Sequence, residues 1–244
     1  MKKLKKIIFF IFLCILIFII YSLFKNNKLT YISLGDSLAK GKNPYGNIDY
    51  GYSDYVKDYL ENNDKLKYYT KDFAEEGYRI TDILNDIELN KKIKIGKNHE
   101  GLKTILRRSD FITLSIGSND IFYKTNNNLI NVNENELNKY IDELIEDYDK
   151  LLNELTKYFK GNLIIIGYYN PYNNISSESS RTVESSILYI NDYMEKLANK
   201  YNAEYINIYE IFRENPEYLP NNNDIHPSKE GYKQIANLII DKIK

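Results

Sequence analysis

The chain has 244 residues, 43% of them hydrophobic and 27% charged, which excludes a disordered or fibrous polypeptide and leaves room for one medium-sized domain with a full core. Its 33 basic and 34 acidic residues nearly cancel, but residues 1–28 hold six lysines and no acid. The remaining 27 basic and 34 acidic residues put the rest of the chain at −7, which argues against nucleic acid and other polyanions as partners.

The N-terminus stands apart. "MKKLKK" precedes an uncharged apolar run over residues 7–24. As a helix such a run would span about 27 Å, close to the roughly 30 Å of a bilayer's hydrocarbon core. It is too long for the apolar part of a cleaved signal peptide and has no small-residue cleavage site. Lys2, Lys3, Lys5 and Lys6 outnumber Lys25 and Lys28 beyond it. This excess predicts one transmembrane helix with the N-terminus cytoplasmic and the rest of the chain extracytoplasmic at the cell membrane. Cys14, in the middle of the run, is the chain's one cysteine, so the outer domain is expected to fold without disulfides. The expected division is residues 1–28 as Lys-rich tip, anchor and linker, and residues 29–244 as the domain.

From Leu29 onward short apolar runs alternate with amphipathic helical patterns. "LTYISLG" reads as a strand, and "GYSDYVKDYLEN" as a helix with Tyr55, Val56, Tyr59 and Leu60 on one side. "KLKYYTKDFA" reads as a second strand, followed by helical "RITDILNDIEL" and "EGLKTILRRS". "DFITLSIG", "NLIIIGYY" and "AEYINIYEIF" supply three more strands, the last running into a short helix. Residues 135–160 carry an apolar stripe from Leu137 to Leu155, residues 181–200 one from Val183 to Leu197, and the last helix, from Ser228, one from Tyr232 to Ile243. These stripes are core positions. Asn-rich residues 124–135 and "NPYNNISSESS" read as loops, the first expected to rim the ligand crevice with few apolar residues to tie it down. The alternation predicts an α/β domain: a five-stranded parallel sheet with helices on both faces and a crevice at the carboxyl ends of the strands.

Polar clusters from distant segments converge on that end. They are "GDS" with Ser37, "DFAEEGYRITD" with Gly77, "GSND" with Asn119 and Asp120, and "NNNDIHPSKEGY" with His226. Acyl transfer requires these residue types. A serine hydroxyl becomes a nucleophile only when a base takes its proton, and an imidazole titrates in the right range to do so. The oxyanion of the tetrahedral intermediate needs preorganised N–H donors. The backbone N–H groups of Ser37 and Gly77 and the side-chain amide of Asn119 can supply three. Asp120 reads as structural, His99 as exposed, and Glu75 and Glu76 as solvated loop charges. No Gly-rich phosphate loop and no metal-spaced His/Cys cluster is present, so neither a cofactor nor a metal is expected.

From Leu29 to the C-terminus the set "GDSL", "GYRIT", "GSND" and "HPS…GY" resembles the SGNH (GDSL) hydrolase family of esterases and lipases. The resemblance implies a flavodoxin-like three-layer sandwich, Ser37 as nucleophile, Gly77 and Asn119 as oxyanion donors beside Ser37, and His226 as base. It implies an ester substrate, whether small molecule, lipid or glycan, and leaves the oligomeric state open. Two positions depart from the pattern. Asp72 stands where the second block usually carries Asn, and Asn223 stands three residues before the histidine, where the family places its acid. Asp224 is two residues before it. Three candidates therefore remain to orient the ring: Asp224 from a tight turn, Asn223, or a backbone carbonyl. The competing reading is an inactive relative that binds cell-surface glycan or lipid.

Overall fold

The computed structural model describes residues 6, 9–18, 28–129, 132–172 and 178–244. Residues 9–18 are helical (α1) and exposed, and the rest of the 7–24 apolar run lies outside the described residues. Among the described residues no helix is long and apolar enough to cross a membrane.

The domain begins with β1 (Leu29–Gly35), α2 (Ser37–Lys40), α3 (Tyr52–Asn62), β2 (Leu66–Ala74) and α4 (Ile80–Glu88). A hairpin follows, β3 (Lys92–Ile95) and β4 (Asn98–Gly101), then α5 (Leu102–Arg108), β5 (Phe111–Ser115) and α6 (Ser118–Lys124). The remainder comprises α7 (Glu134–Tyr158), β6 (Asn162–Ile166), α8 (Glu178–Lys200), β7 (Glu204–Ile206), α9 (Tyr209–Glu214) and α10 (Lys229–Ile243). The five parallel strands lie in the order β2-β1-β5-β6-β7. This is the doubly wound, flavodoxin-like order, whose chain reversal between β1 and β5 opens a crevice at their carboxyl ends.

Side-chain alternation along each strand divides the core into two layers. Tyr31, Phe111, Ile164 and Ile166 pack with buried residues of α3, α9 and α10 on one face. Their neighbours Ile32, Ile112, Leu163 and Ile165 pack with α4, α5, α7 and α8 on the other. Central strands with both faces covered explain the unbroken apolar runs of β5 and β6. The long helices follow their stripes. Leu137, Ile141, Leu144, Tyr148, Leu151, Leu152 and Leu155 of α7 are all buried, as are Val183, Ile190 and Met194 of α8.

Two segments depart from the sequence reading. Glu100 and Gly101, expected in a helix, close the β3–β4 hairpin, and α5 starts at Leu102. The signal is the alternation Lys92-Ile93-Lys94-Ile95, too short to stand out beside the flanking helical patterns. The Asn-rich connection is also tied down more than its composition suggests. Leu129 and Thr125 are buried, and the Thr125 hydroxyl donates to the Ile121 carbonyl (2.9 Å). Lys124 closes α6, and residues 134–135 already belong to α7; residues 130–131 lie outside the described residues.

Candidate active site

β1 delivers Ser37 to the crevice. The strand ends at Gly35, whose φ of +140° and closeness to β5 leave no room for a side chain: a Cβ there would lie 1.8 Å from the Ser115 carbonyl oxygen. The Asp36 amide then donates to that carbonyl (3.0 Å), holding the turn against β5. Asp36 caps α2, its carboxylate accepting from the Leu38 amide (3.0 Å), and Ser37 becomes the first residue of the helix. Asp36 is buried, and loss of hydration, reinforced by the charge of Asp120, pushes its carboxyl up to about 7.

His226 comes from the other end of the chain, in the loop between α9 and α10. The ring bridges two partners. Nε2 lies 2.8 Å from Ser37 Oγ and Nδ1 lies 2.6 Å from Asp224 Oδ1. Asp224 reaches the ring because residues 221–224 form a tight turn. Asn221 accepts at its carbonyl from the Asp224 amide (3.0 Å) and at its side chain from the Asn223 amide (3.0 Å), while its own Nδ2 anchors to the Pro44 carbonyl (2.6 Å). Asn223, at the family's usual acid position, is exposed. Burial lowers the affinity of His226 for a proton, and the hydrogen bond and charge of Asp224 act in the opposite sense without overcoming it.

The third side of the site is the start of α6. Asn119 shares the pocket lining with Ser37 and His226, and its Nδ2 donates to the Tyr78 carbonyl (2.8 Å). Gly77 lies next to Tyr78 in the Glu75–Tyr78 turn after β2, with φ +77°. The structure thus gathers Ser37, His226, Asp224 and Asn119, and it links Gly77 to that group through Tyr78; Gly77 is not among the pocket-lining residues. Asp120 is structural, as read: its carboxylate accepts from the Ile80 amide (3.2 Å) at the start of α4, and burial pushes it up to about 6. Glu75 and Glu76 keep partly exposed carboxylates, in line with their reading as solvated loop charges. They pair with Lys40 (3.4 Å) and Lys42 (2.5 Å), tying the Gly77 turn to the segment that follows Ser37. Being partly exposed, each bridge stabilises by at most about 1 kcal/mol.

Residues 33–234 match the GDSL-like lipase/acylhydrolase family. The chain belongs to that family. Solved structures agree on the fold. A lipase from a goat rumen metagenome superimposes with a TM-score of 0.70 at 19% identity, over 88% of this chain and 97% of that one. An extracellular lipase from Streptomyces rimosus gives 0.64 at 16% identity, over 87% and 99% of the two chains. An acetylxylan esterase from Geobacillus stearothermophilus gives 0.61 at 18%, over 88% and 94%. No curated protein is a detectable sequence relative. As a member of the GDSL-like family the chain is an ester-hydrolysing serine hydrolase.

Several supporting residues of this GDSL-like site escaped the sequence reading. The Tyr169 hydroxyl donates to the Ile225 carbonyl (2.5 Å), fixing the residue between Asp224 and His226. Asn191 clamps Tyr168 at the end of β6, accepting from its amide and donating to its carbonyl, both at 2.9 Å. The Tyr168 hydroxyl in turn donates to the Ile116 carbonyl (2.8 Å), just before the "GSND" turn. Asn191 had one sequence signal, a polar residue beside the apolar stripe of α8. Among the described residues no group of three or more His, Cys, Asp or Glu side chains is gathered to hold a metal ion.

Proposed function

We propose that the protein hydrolyses carboxylic esters by a Ser37–His226–Asp224 relay. The observation that carries this reading is the continuous chain Ser37 Oγ, His226 Nε2, His226 Nδ1 and Asp224 Oδ1, at 2.8 and 2.6 Å. Ser37 Oγ attacks the ester carbonyl carbon as His226 Nε2 takes its proton. Asp224 holds the ring so that Nε2 faces Ser37 and stabilises the imidazolium that forms.

The oxyanion faces the second N–H of Asn119 Nδ2 and the amide of Ser37, which lies in the first turn of α2 where N–H groups have no intrahelical acceptor. The Gly77 amide is the third donor. The imidazolium then protonates the leaving alcohol. A water deprotonated by His226 attacks the acyl-enzyme, and the carboxylic acid departs as Ser37 regains its proton.

The same reading places the domain outside the cell membrane, anchored through residues 7–24 with the N-terminus cytoplasmic. Its support is the charge-free apolar run and the four lysines before it.

Two measurements test these readings. The purified domain should hydrolyse p-nitrophenyl esters without loss to chelators, and a fluorophosphonate should label Ser37, as located by mass spectrometry. A folded protein that neither turns over esters nor takes the label overturns the mechanism. Full-length chain should remain with membranes after carbonate extraction; a soluble chain beginning beyond residue 24 overturns the anchor.

A further inference from the structure

The turn that carries the Gly77 amide is held from its flanks. Gly77 is exposed, and a Cβ added to it would meet nothing within 4 Å, so nothing packs on that side of the turn. Toward β1, the Glu75 amide donates to the Gly35 carbonyl (3.1 Å). Toward α6, the Tyr78 carbonyl accepts from Asn119 Nδ2 (2.8 Å). Toward the segment after Ser37, the ties are the two ion pairs, Glu75 with Lys40 (3.4 Å) and Glu76 with Lys42 (2.5 Å).

Lys42 is the firmer post. Its amide donates to the Ser37 carbonyl (3.0 Å), its carbonyl accepts from the Tyr232 hydroxyl of α10 (2.6 Å), and it pairs antiparallel with Ile48. The loop closed by that pairing offers the Pro44 carbonyl to Asn221 Nδ2, in the turn that presents Asp224. One residue is thereby tied to the nucleophile by its amide, to the turn of the acid by its loop, and to the Gly77 turn by its side chain. The last tie rests on charge. The Lys42 side chain is only 24% exposed, so its pairing is screened less than an open surface contact.

We infer that Lys42 is a positioning residue for ester hydrolysis, holding the Gly77 amide in place beside Ser37 through its ion pair with Glu76. The inference rests on the hydrolase reading, in which that amide donates to the oxyanion. Such a donor acts only when held within about half an ångström of its productive place. A turn with an exposed glycine at φ +77° and an open side does not get that rigidity from packing. Neutralising the pair leaves β1, α6 and the pocket lining intact, so the loss falls on kcat. The longer Lys40–Glu75 pair braces the same turn more weakly.

The pair also faces the base. Beyond burial, the groups acting on the His226 ring are Asp224 from its own turn, Lys42 from the loop after α2 and Glu76 from the Gly77 turn. Lys42 disfavours the imidazolium and Glu76 favours it. Breaking the pair from its two ends therefore moves the ring in opposite directions, while the effect on the Gly77 turn is the same.

The test is kcat and KM of Lys42→Met, Glu76→Gln and the double variant on p-nitrophenyl acetate, an uncharged ester, at the plateau of each pH profile. Each single variant should lose kcat by about fivefold, with KM within about twofold of the parent. The double variant should lose no more than either single, because both remove one contact. Lys42→Arg should keep most of the rate. The midpoint of kcat/KM against pH should rise in Lys42→Met and fall in Glu76→Gln, a signature that general loosening of the fold does not give. Parent kcat should drop toward that of the variants near 1 M salt, where charges are screened beyond about 3 Å. Unchanged kcat in the folded single variants, or additive losses in the double variant, overturns the positioning role and leaves the hydrolase intact. Where a variant fails to fold by circular dichroism, the salt titration of the parent decides: a kcat that does not respond to salt overturns the inference. No turnover of any ester by the parent overturns the hydrolase reading and this inference with it.

Discussion

One oxygen of Asp224 serves His226 twice: Oδ1 accepts from the histidine's own backbone amide at 2.8 Å and lies 2.6 Å from ring Nδ1. The carboxylate therefore fixes the position of the residue and the orientation of its ring together. An acid two residues before the histidine can do this because the turn through Asn221 folds it back onto the ring.

Replacing that carboxylate separates holding from charge. Asp224→Asn keeps an oxygen for the backbone amide but removes the anion facing the imidazolium, so kcat should fall on the order of a thousandfold or more. Asn223→Asp, at an exposed position, should change kcat by less than about threefold. A small loss in Asp224→Asn would remove Asp224 from the relay.

Ser37→Ala and His226→Ala should each reduce ester hydrolysis to background while circular dichroism and the melting temperature stay near those of the parent. Asn119→Ala should lower kcat by about a hundredfold with little change in KM, because the oxyanion exists only along the reaction path. Substantial turnover by folded Ser37→Ala would contradict the mechanism.

Gly77→Ala isolates a backbone effect. An added Cβ meets nothing within 4 Å, but φ is +77°, a left-handed geometry that costs an L-residue about 1–2 kcal/mol. Denaturant titration should show a loss of that order. Kinetics should show a lower kcat as the amide shifts from the oxyanion. Unchanged stability and rate would mean that the turn relaxes freely.

The pH–rate profile should report His226. Burial disfavours the imidazolium, so the ring becomes a free base below its ordinary value near 6.5, and kcat/KM should rise with pH through a midpoint below that value. Asp224→Asn removes the partner that favours the charged ring and should move the midpoint lower still. A midpoint above 6.5 in the parent enzyme would contradict this.

Stability should fall as pH rises across the acid range. The folded state holds the Asp36 proton up to about 7, whereas an unfolded chain releases it near 4, so the native state binds more protons in between. The stabilising contribution is full below pH 4 and is lost as pH climbs to about 7; Asp120, pushed up to about 6, adds in the same sense. Asp36→Asn retains an oxygen for the Leu38 amide and should flatten this slope. Urea unfolding from pH 4 to 8 checks it, and an equal slope in the variant would count against Asp36.

The sequence by itself determined the five strands of the parallel sheet, the long helices and the two residues, Ser37 and His226, that the proposed relay joins. Each of these is written locally: an apolar run for β5, a 3.6-residue stripe for α7, a short polar motif at Ser37, at Asn119 and at His226. Only the tertiary structure decided which residues meet. Ser37 and His226 are 189 positions apart, and their contact depends on β1 and the loop before α10 reaching the same edge of one sheet. Asp224 meets the His226 ring through the turn at Asn221, and Glu75 and Glu76 meet Lys40 and Lys42 across a gap between segments. The apolar lining beside Ser37 has no motif at all. It is built of core positions on α6, α7 and α8, identical in pattern to residues that fill the interior. Periodicity records which face of a helix turns inward. How closely two such faces approach is set by packing among side chains far apart in the chain.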